Sequence, residues 1–365
     1  MDKDELQSRV ISFLRFPLIV GVVFIHAKFF SVPINGVYID INHFPLTEKA
    51  MFFLSNSLFS ISVPLFFAIS GFLYFKGVEQ FNFKIYRKKT CNRIRTLVIP
   101  YLIWNTVVIF FFYIAHLLSP EMMSGLNKSV VDYTWQDWFW AYWNKDNING
   151  FEELGTPIAL QLWFVRDLFI LCICSPLIYF LIKRLGIVLI LLIFLINIIE
   201  VIPDVTGLNK QAWLFFSLGA YFSIHNHSFL CGSIKLIKVC FIIYLFTLIT
   251  YFVTEDLFKD LYLGYLNILS GVILLVNIVA WGISTQKWSL PQIFVNSSFF
   301  IFAYHAIPCL VLTRLSFKLF NPDSDVGLLC VYFVCPIITI LSGLLFYYIL
   351  RKYLPRFTAV ITGGR

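Results

Sequence analysis

Ten stretches of mainly apolar residues, most of them close to the length of a membrane span, recur along the chain. They limit what it can fold into more than any other feature. They lie near 10–30, 52–75, 96–118, 159–182, 186–202, 211–225, 236–253, 261–283, 294–316 and 327–350. A helix needs about 20 such residues to cross the hydrocarbon core. The pattern therefore predicts an all-α, polytopic membrane helix bundle of about ten transmembrane helices. The fifth and sixth stretches are short and read either as tilted pieces or as one broken helix. Composition agrees: 59% of residues are apolar, only 13% are charged, and the mean hydropathy is +0.82. A soluble domain carries about a quarter charged residues, so a water-exposed globule is excluded. The first stretch carries Arg15 and Pro17 and has no small-residue cleavage site behind it, so it reads as an uncleaved span.

Orientation follows from where the cations fall. With the N-terminus inside, 18 of the 28 Lys and Arg residues lie in cytoplasmic segments, eight in outer ones, and Arg15 and Arg166 within spans. This bias predicts both termini in the cytoplasm and an even number of spans. The net charge of +8 is accounted for by that bias and does not imply a nucleic-acid partner. Residues 119–158 form the one long outer connection. They carry the acids Glu121, Asp132, Asp137, Asp146, Glu152 and Glu153 and the cluster Trp135, Trp138, Trp140 and Trp143. A long connection of this kind is a candidate lid or substrate platform. An interfacial aromatic belt explains the tryptophans at least as well. Eight cysteines show no metal-ligand spacing, and Cys172 and Cys174 sit in an apolar run, so neither a metal site nor a disulfide framework is expected.

Ionisable groups inside spans are costly and mark function by default. Arg15 and His26 are eleven residues apart in the first span, three helical turns plus roughly 20°, which puts them on one face about 16 Å apart along the axis. Arg15 lies toward the cytoplasmic side and His26 deeper. The bland alternative is a snorkelling arginine and a satisfied structural histidine. The second span reads PLFFAISGF over 64–72, where Ser70 and Gly71 permit close helix approach. Lys84, Arg87, Lys88, Lys89, Arg93 and Arg95 then form a basic collar ahead of the third span. Guanidinium groups bind phosphate bidentately, so the collar suits a phosphate cradle, although positive-inside bias explains several of its members. In LWFVRDL (162–168), Arg166 and Asp167 point about 100° apart and are expected to serve different partners. Tyr304 and His305 fall in the ninth stretch.

Taken in order, these fragments resemble the integral membrane acyltransferases of family 3, which acylate bacterial glycans and related acceptors. Arg15 and His26 match that family's Arg-x10-His signature. PLFFAISGF resembles its Phe-Phe-x-x-Ser-Gly motif, and RIRTLVIPYLIW (93–104) its basic segment before Pro-Tyr. LWFVRDL, with Trp163 and Arg166, resembles its Trp-Phe-x-Arg segment, and FFIFAYHAI (299–307) its late histidine-containing span. The family's Arg-x-x-Arg pair is not kept, since Asn92 stands three residues before Arg95. The phosphate role is therefore carried to the cluster Arg87, Lys88, Lys89, Arg93 and Arg95. The fused extracytoplasmic hydrolase-like domain of some relatives is not expected here.

The resemblance implies a single transmembrane acyltransferase domain over 1–365, multi-pass in a bacterial inner membrane. It implies acyl-CoA, in the first place acetyl-CoA, as co-substrate with no permanently bound cofactor, and a surface glycan or lipid-linked sugar as acceptor. His26 would be the general base or the site of an acyl-histidine, with Arg15 beside the pantetheine arm. Ser70, Trp163, Arg166, Asp167, Tyr304 and His305 would be candidates for steadying the oxyanion or the acceptor. A secondary transporter would show inverted repeats and paired broken helices. No convincing internal repeat is visible, and a translocator that carries acyl groups outward without acceptor chemistry of its own is the nearer alternative.

Overall fold

The computed structural model describes residues 2–34, 36–118, 128–149, 155–199, 204–230, 234–254 and 261–364. It is helical nearly throughout. The chain runs α1 (Lys3–His26), a hairpin of β1 (Ser31–Ile34) and β2 (Val37–Asp40), α2 (Pro45–Phe53), α3 (Ser62–Phe75), α4 (Phe83–Arg93) and α5 (Ile99–Leu118). It continues through α6 (Trp135–Trp143), α7 (Asp146–Asn149), α8 (Trp163–Ile173), α9 (Ser175–Leu185), α10 (Ile187–Ile199) and α11 (Lys210–Ile224). The remaining helices are α12 (Ile234–Val253), α13 (Leu261–Ser284), α14 (Gln292–Tyr304), α15 (Ala306–Phe320), α16 (Asp325–Tyr353) and α17 (Pro355–Ile361).

Where they are described, all ten apolar stretches fall on helices. Among the described residues six helices are long and apolar enough to cross a membrane alone: Lys3–His26, Pro45–Phe75, Phe83–Leu118, Lys235–Val253, Leu263–Ser284 and Asp325–Tyr353. Two more candidates are bent pairs, α8 with α9 at 65° and α14 with α15 at 66°. The other two stretches become α10 and α11, of 13 and 15 residues, short of a span. Two of the long helices contain a π-helical turn, Leu54–Leu58 and Ile94–Val98. The second joins the basic segment to the third apolar stretch, so the collar is helical rather than a loop.

The chain divides into two compact units, each discontinuous in sequence: residues 1–77 with 215–348, and residues 78–214 with 349–365. In the first unit α1 is packed by α3, α13 and α14. Its start is fixed by Asp2, whose carboxylate accepts from the Lys3 amide at 2.7 Å, with Asp4 and Glu5 at the positive end of the dipole. Gly71 and Gly219 make a reciprocal crossing of α3 and α11. A Cβ on Gly71 would stand 2.1 Å from the Phe216 carbonyl oxygen, and one on Gly219 1.9 Å from that of Ala68. The small-residue reading of Ser70-Gly71 is thus realised in the backbone. The first π-turn leaves the Ser57 carbonyl outside the helical ladder, and Asn267 of α13 donates to it at 2.8 Å. The Asn267 side-chain oxygen is in turn taken by Thr247 at 3.0 Å.

In the second unit, residues 349–365 return to α5. The Trp104 indole donates to the Ile361 carbonyl at 3.0 Å. Gly363, at φ +68°, lies so close to Thr96 that a Cβ would meet its carbonyl oxygen at 2.3 Å. The connection 119–158 is not an open loop where it is described. Its α6 is closed by a capping box in which Thr134 and Asp137 exchange bonds. Tyr142 of α6 bonds to α5, its carbonyl receiving the Tyr101 hydroxyl and its own hydroxyl meeting Thr106 at 2.8 Å. The helix therefore packs alongside α5 instead of standing off its end. Glu121, Glu152 and Glu153 lie outside the described residues.

Candidate active site

His26 is the last residue of α1, half-buried, where the chain leaves the helix for the β-hairpin. Arg15 lies three turns earlier in the same helix, also half-buried. Lys28, two residues beyond His26, donates to the Asn56 side-chain carbonyl oxygen at 2.9 Å. From sequence Lys28 counts only as one of the outer cations. Its position two residues after an intramembrane histidine is the available signal.

The structure also brings His305 to His26, although 279 residues separate them in sequence. Their ring centroids are 5.3 Å apart and the planes are tilted by 41°. His305 stands at the break between α14 and α15 and is fully buried. Its Nδ1 lies 2.8 Å from the Phe302 carbonyl oxygen and 3.2 Å from that of Ile301. Its Nε2 has no hydrogen-bond partner among the described residues. Tyr304, by contrast, turns to α16, where its hydroxyl meets that of Ser342 at 3.3 Å and its ring packs on Gly343. Ser70 is half-buried on α3, next to the glycine of the α3–α11 crossing.

In the second unit the basic helix presents two sides. Lys84, Arg87, Lys88 and Arg95 are exposed and make no ion pair among the described residues, whereas Lys89 and Arg93 are half-buried on the side that packs against α8. A set of exposed cations on one helical segment has the chemistry to bind phosphates.

The expectation that Arg166 and Asp167 serve different partners is corrected. The Arg166 side chain folds back on its neighbour, with Nε 3.0 Å and a terminal nitrogen 2.9 Å from the same Asp167 oxygen. The 100° divergence holds at the Cβ atoms, but the arginine side chain is long enough to recross it. The other terminal nitrogen donates to the carbonyls of Trp143 at 2.5 Å and Gly155 at 2.7 Å. The second Asp167 oxygen accepts from the Asn209 amide at 3.4 Å. The pair thus ties the chain around 143–155 and 209 to α8. Trp143 belongs to this arrangement, its ring 5.4 Å from the guanidinium carbon, while Trp135 is 80% exposed. Trp163, half-buried, opens α8. An apolar cavity of about 400 Å³ lies between α5, α6 and α8, with Tyr101, Trp143, Val165 and Arg166 in its wall.

Many apolar helices, with two imidazoles meeting at the end of the first, define a multi-pass helical membrane protein. The sequence profile of the acyltransferase 3 family, described as an acyltransferase domain, matches residues 9–350, and the chain belongs to this family. It is similar to the succinoglycan biosynthesis protein ExoH of Rhizobium meliloti (strain 1021), with 27% identity over 99% of this chain and 94% of that protein. No solved structure matches the chain. The acyltransferase resemblance read from the motifs is therefore the correct one.

Proposed function

We propose that this protein transfers an acyl group, acetyl in the first instance, from acyl-CoA to a hydroxyl of a glycan or lipid-linked sugar, with His26 as general base. Its similarity to a protein of succinoglycan biosynthesis supports a saccharide acceptor. The observation that carries the mechanism is the His26–His305 pair. An imidazole at the end of a membrane helix makes no side-chain hydrogen bond among the described residues, and a second, fully buried imidazole lies against it. Neutral imidazole is the side chain best suited to take a proton near pH 7.

In this reading the acceptor hydroxyl oxygen attacks the thioester carbonyl carbon while His26 takes its proton. The tetrahedral intermediate collapses with cleavage of the C–S bond, and CoA leaves as a thiolate that receives the proton from the imidazolium. Lys28, two residues beyond His26, is our candidate for offsetting charge that develops on the carbonyl oxygen. Arg15, on the same helix, is our candidate for the donor arm. Lys84, Arg87, Lys88 and Arg95 are our candidates for the donor's phosphates. The C-terminal residues pack on Thr96 and Trp104, a short way along the helix from the basic segment. A cytoplasmic collar therefore favours a cytoplasmic C-terminus, in line with the cation bias.

The test uses purified protein in lipid with labelled acetyl-CoA or succinyl-CoA and glycan acceptors, following CoA release and label transfer. His26→Ala should abolish transfer, by at least about a hundredfold, and leave the thermal transition in place. Transfer retained by that variant would overturn His26 as the base. A protein that only translocates acyl groups would give no labelled glycan even in its unsubstituted form.

A further inference from the structure

His305 holds a buried acceptor that lacks its donor. Both oxygens near Nδ1 are carbonyls, which only accept, so Nδ1 carries the proton and Nε2 carries a lone pair. The tautomer is fixed by the backbone. A fully buried lone pair without a partner is rare in folded proteins and calls for an explanation. The ring that stands against His305 is His26, with centroids 5.3 Å apart; no bond joins the two rings as they stand, and a turn of the His26 side chain is needed to close one. His26 also has no other side-chain hydrogen bond among the described residues, so one of its nitrogens is available as the missing donor.

We infer that His305 is the positioning residue for His26, its Nε2 accepting the N–H of the His26 ring. This rests on the reading of His26 as the base and adds what holds it ready. With one nitrogen donating to His305, the other His26 nitrogen must present a lone pair, which is the form a base requires. When that nitrogen takes the acceptor's proton, the resulting imidazolium keeps its bond to His305. In a serine-protease triad a carboxylate has this part. Here a neutral ring does it. Among the described residues no carboxylate is hydrogen-bonded to either ring. The bend at residue 305 supplies the geometry, since it brings the Phe302 and Ile301 carbonyls to the ring of the residue at the break.

The expected signature is a kcat effect. His305→Phe fills the space but has neither nitrogen, and its kcat should fall roughly 10–100-fold with KM for donor and acceptor unchanged. His305→Gln has an amide that can donate to the Phe302 carbonyl and accept from His26, and it should recover most of the loss. Because His305 acts through His26, His26→Ala/His305→Phe should be no slower than His26→Ala alone. Unchanged kcat in His305→Phe, a rise in KM in place of the kcat loss, or a further drop in the double variant would each overturn the assignment. The imidazole nitrogens of the 15N-histidine-labelled protein give a readout independent of turnover and of whether His305→Phe folds. His305 should appear as the Nδ1–H tautomer with a hydrogen-bonded Nε2, and that bond should vanish in His26→Ala. An Nε2 signal indifferent to His26→Ala would sink the inference even if acyl transfer is confirmed. Absence of acyl transfer with the bond intact would instead count against the proposed function.

Discussion

Arg166 and Asp167 show how one ion pair can organise a neighbourhood. Their side chains are 6% and 2% exposed, and the guanidinium also holds two carbonyls from another stretch of chain. Removing the cation strands a buried carboxylate, which costs about 3–5 kcal/mol. Arg166→Ala should therefore lower the thermal transition sharply. Asp167→Asn leaves the guanidinium on its two carbonyls and should cost only about 1–2 kcal/mol. Equal effects, read by thermal unfolding in detergent, would contradict this account. Asp137 gives a pH prediction outside the spans. Bonds from Lys128 and from the Thr134 hydroxyl and amide hold its carboxyl down at about 2, against about 3.9 when unfolded. The depressed value means that its stabilising effect is present above about pH 4 and is lost as pH falls through about 2. Amide exchange at the start of α6 should speed up over that window, and Asp137→Asn should remove the pH dependence. At this scale the sequence exposes His26, Arg15 and His305, because an ionisable residue stands out in an apolar run. It does not expose the meeting of His26 with His305, which depends on packing between helices far apart in the chain. Nor does it reveal the folding back of Arg166, since helix geometry places Cβ atoms but not the end of a long side chain.

At the scale of elements, the crossing of α3 and α11 is the most restrictive contact. Added methyl groups at Gly71 or Gly219 would meet backbone oxygens, which cannot rotate away. Gly71→Ala and Gly219→Ala should each destabilise by about 2–3 kcal/mol. Gly264→Ala, whose added Cβ meets nothing within 4 Å, should be neutral or slightly stabilising. Similar melting temperatures for all three variants would show that the crossing tolerates separation. Every apolar stretch could be read as helix because hydropathy is a local property. The shortness of α10 and α11 was visible in the fifth and sixth stretches, whereas the bends at 174 and 305 and the π-turns were less legible, since they follow from what packs beside each helix. The basic segment read as a collar before a span. As a helix continuous with that span, its exposed and half-buried cations are sorted by the contact with α8.

At the scale of the molecule, each compact unit is assembled from two separated parts of the chain. Residues 349–365 complete the second unit through α17, the Trp104–Ile361 bond and the approach of Gly363 to Thr96. A chain stopped after Leu354 should therefore lose stability in α4 and α5 while the hairpin and α1 keep theirs. Limited proteolysis or exchange compared between the two units would show it, and uniform loosening would argue against it. This arrangement also sets a timetable for biogenesis. Residues 78–214 leave the ribosome well before 349–365 are made, an interval on the order of ten seconds at ordinary elongation rates. For that time the second unit waits in the membrane without its closing segment, and α5 around Thr96 and Trp104 lacks its cover. The chain cannot mature strictly from one end to the other, and an insertase or membrane chaperone would meet its most exposed intermediate during that pause.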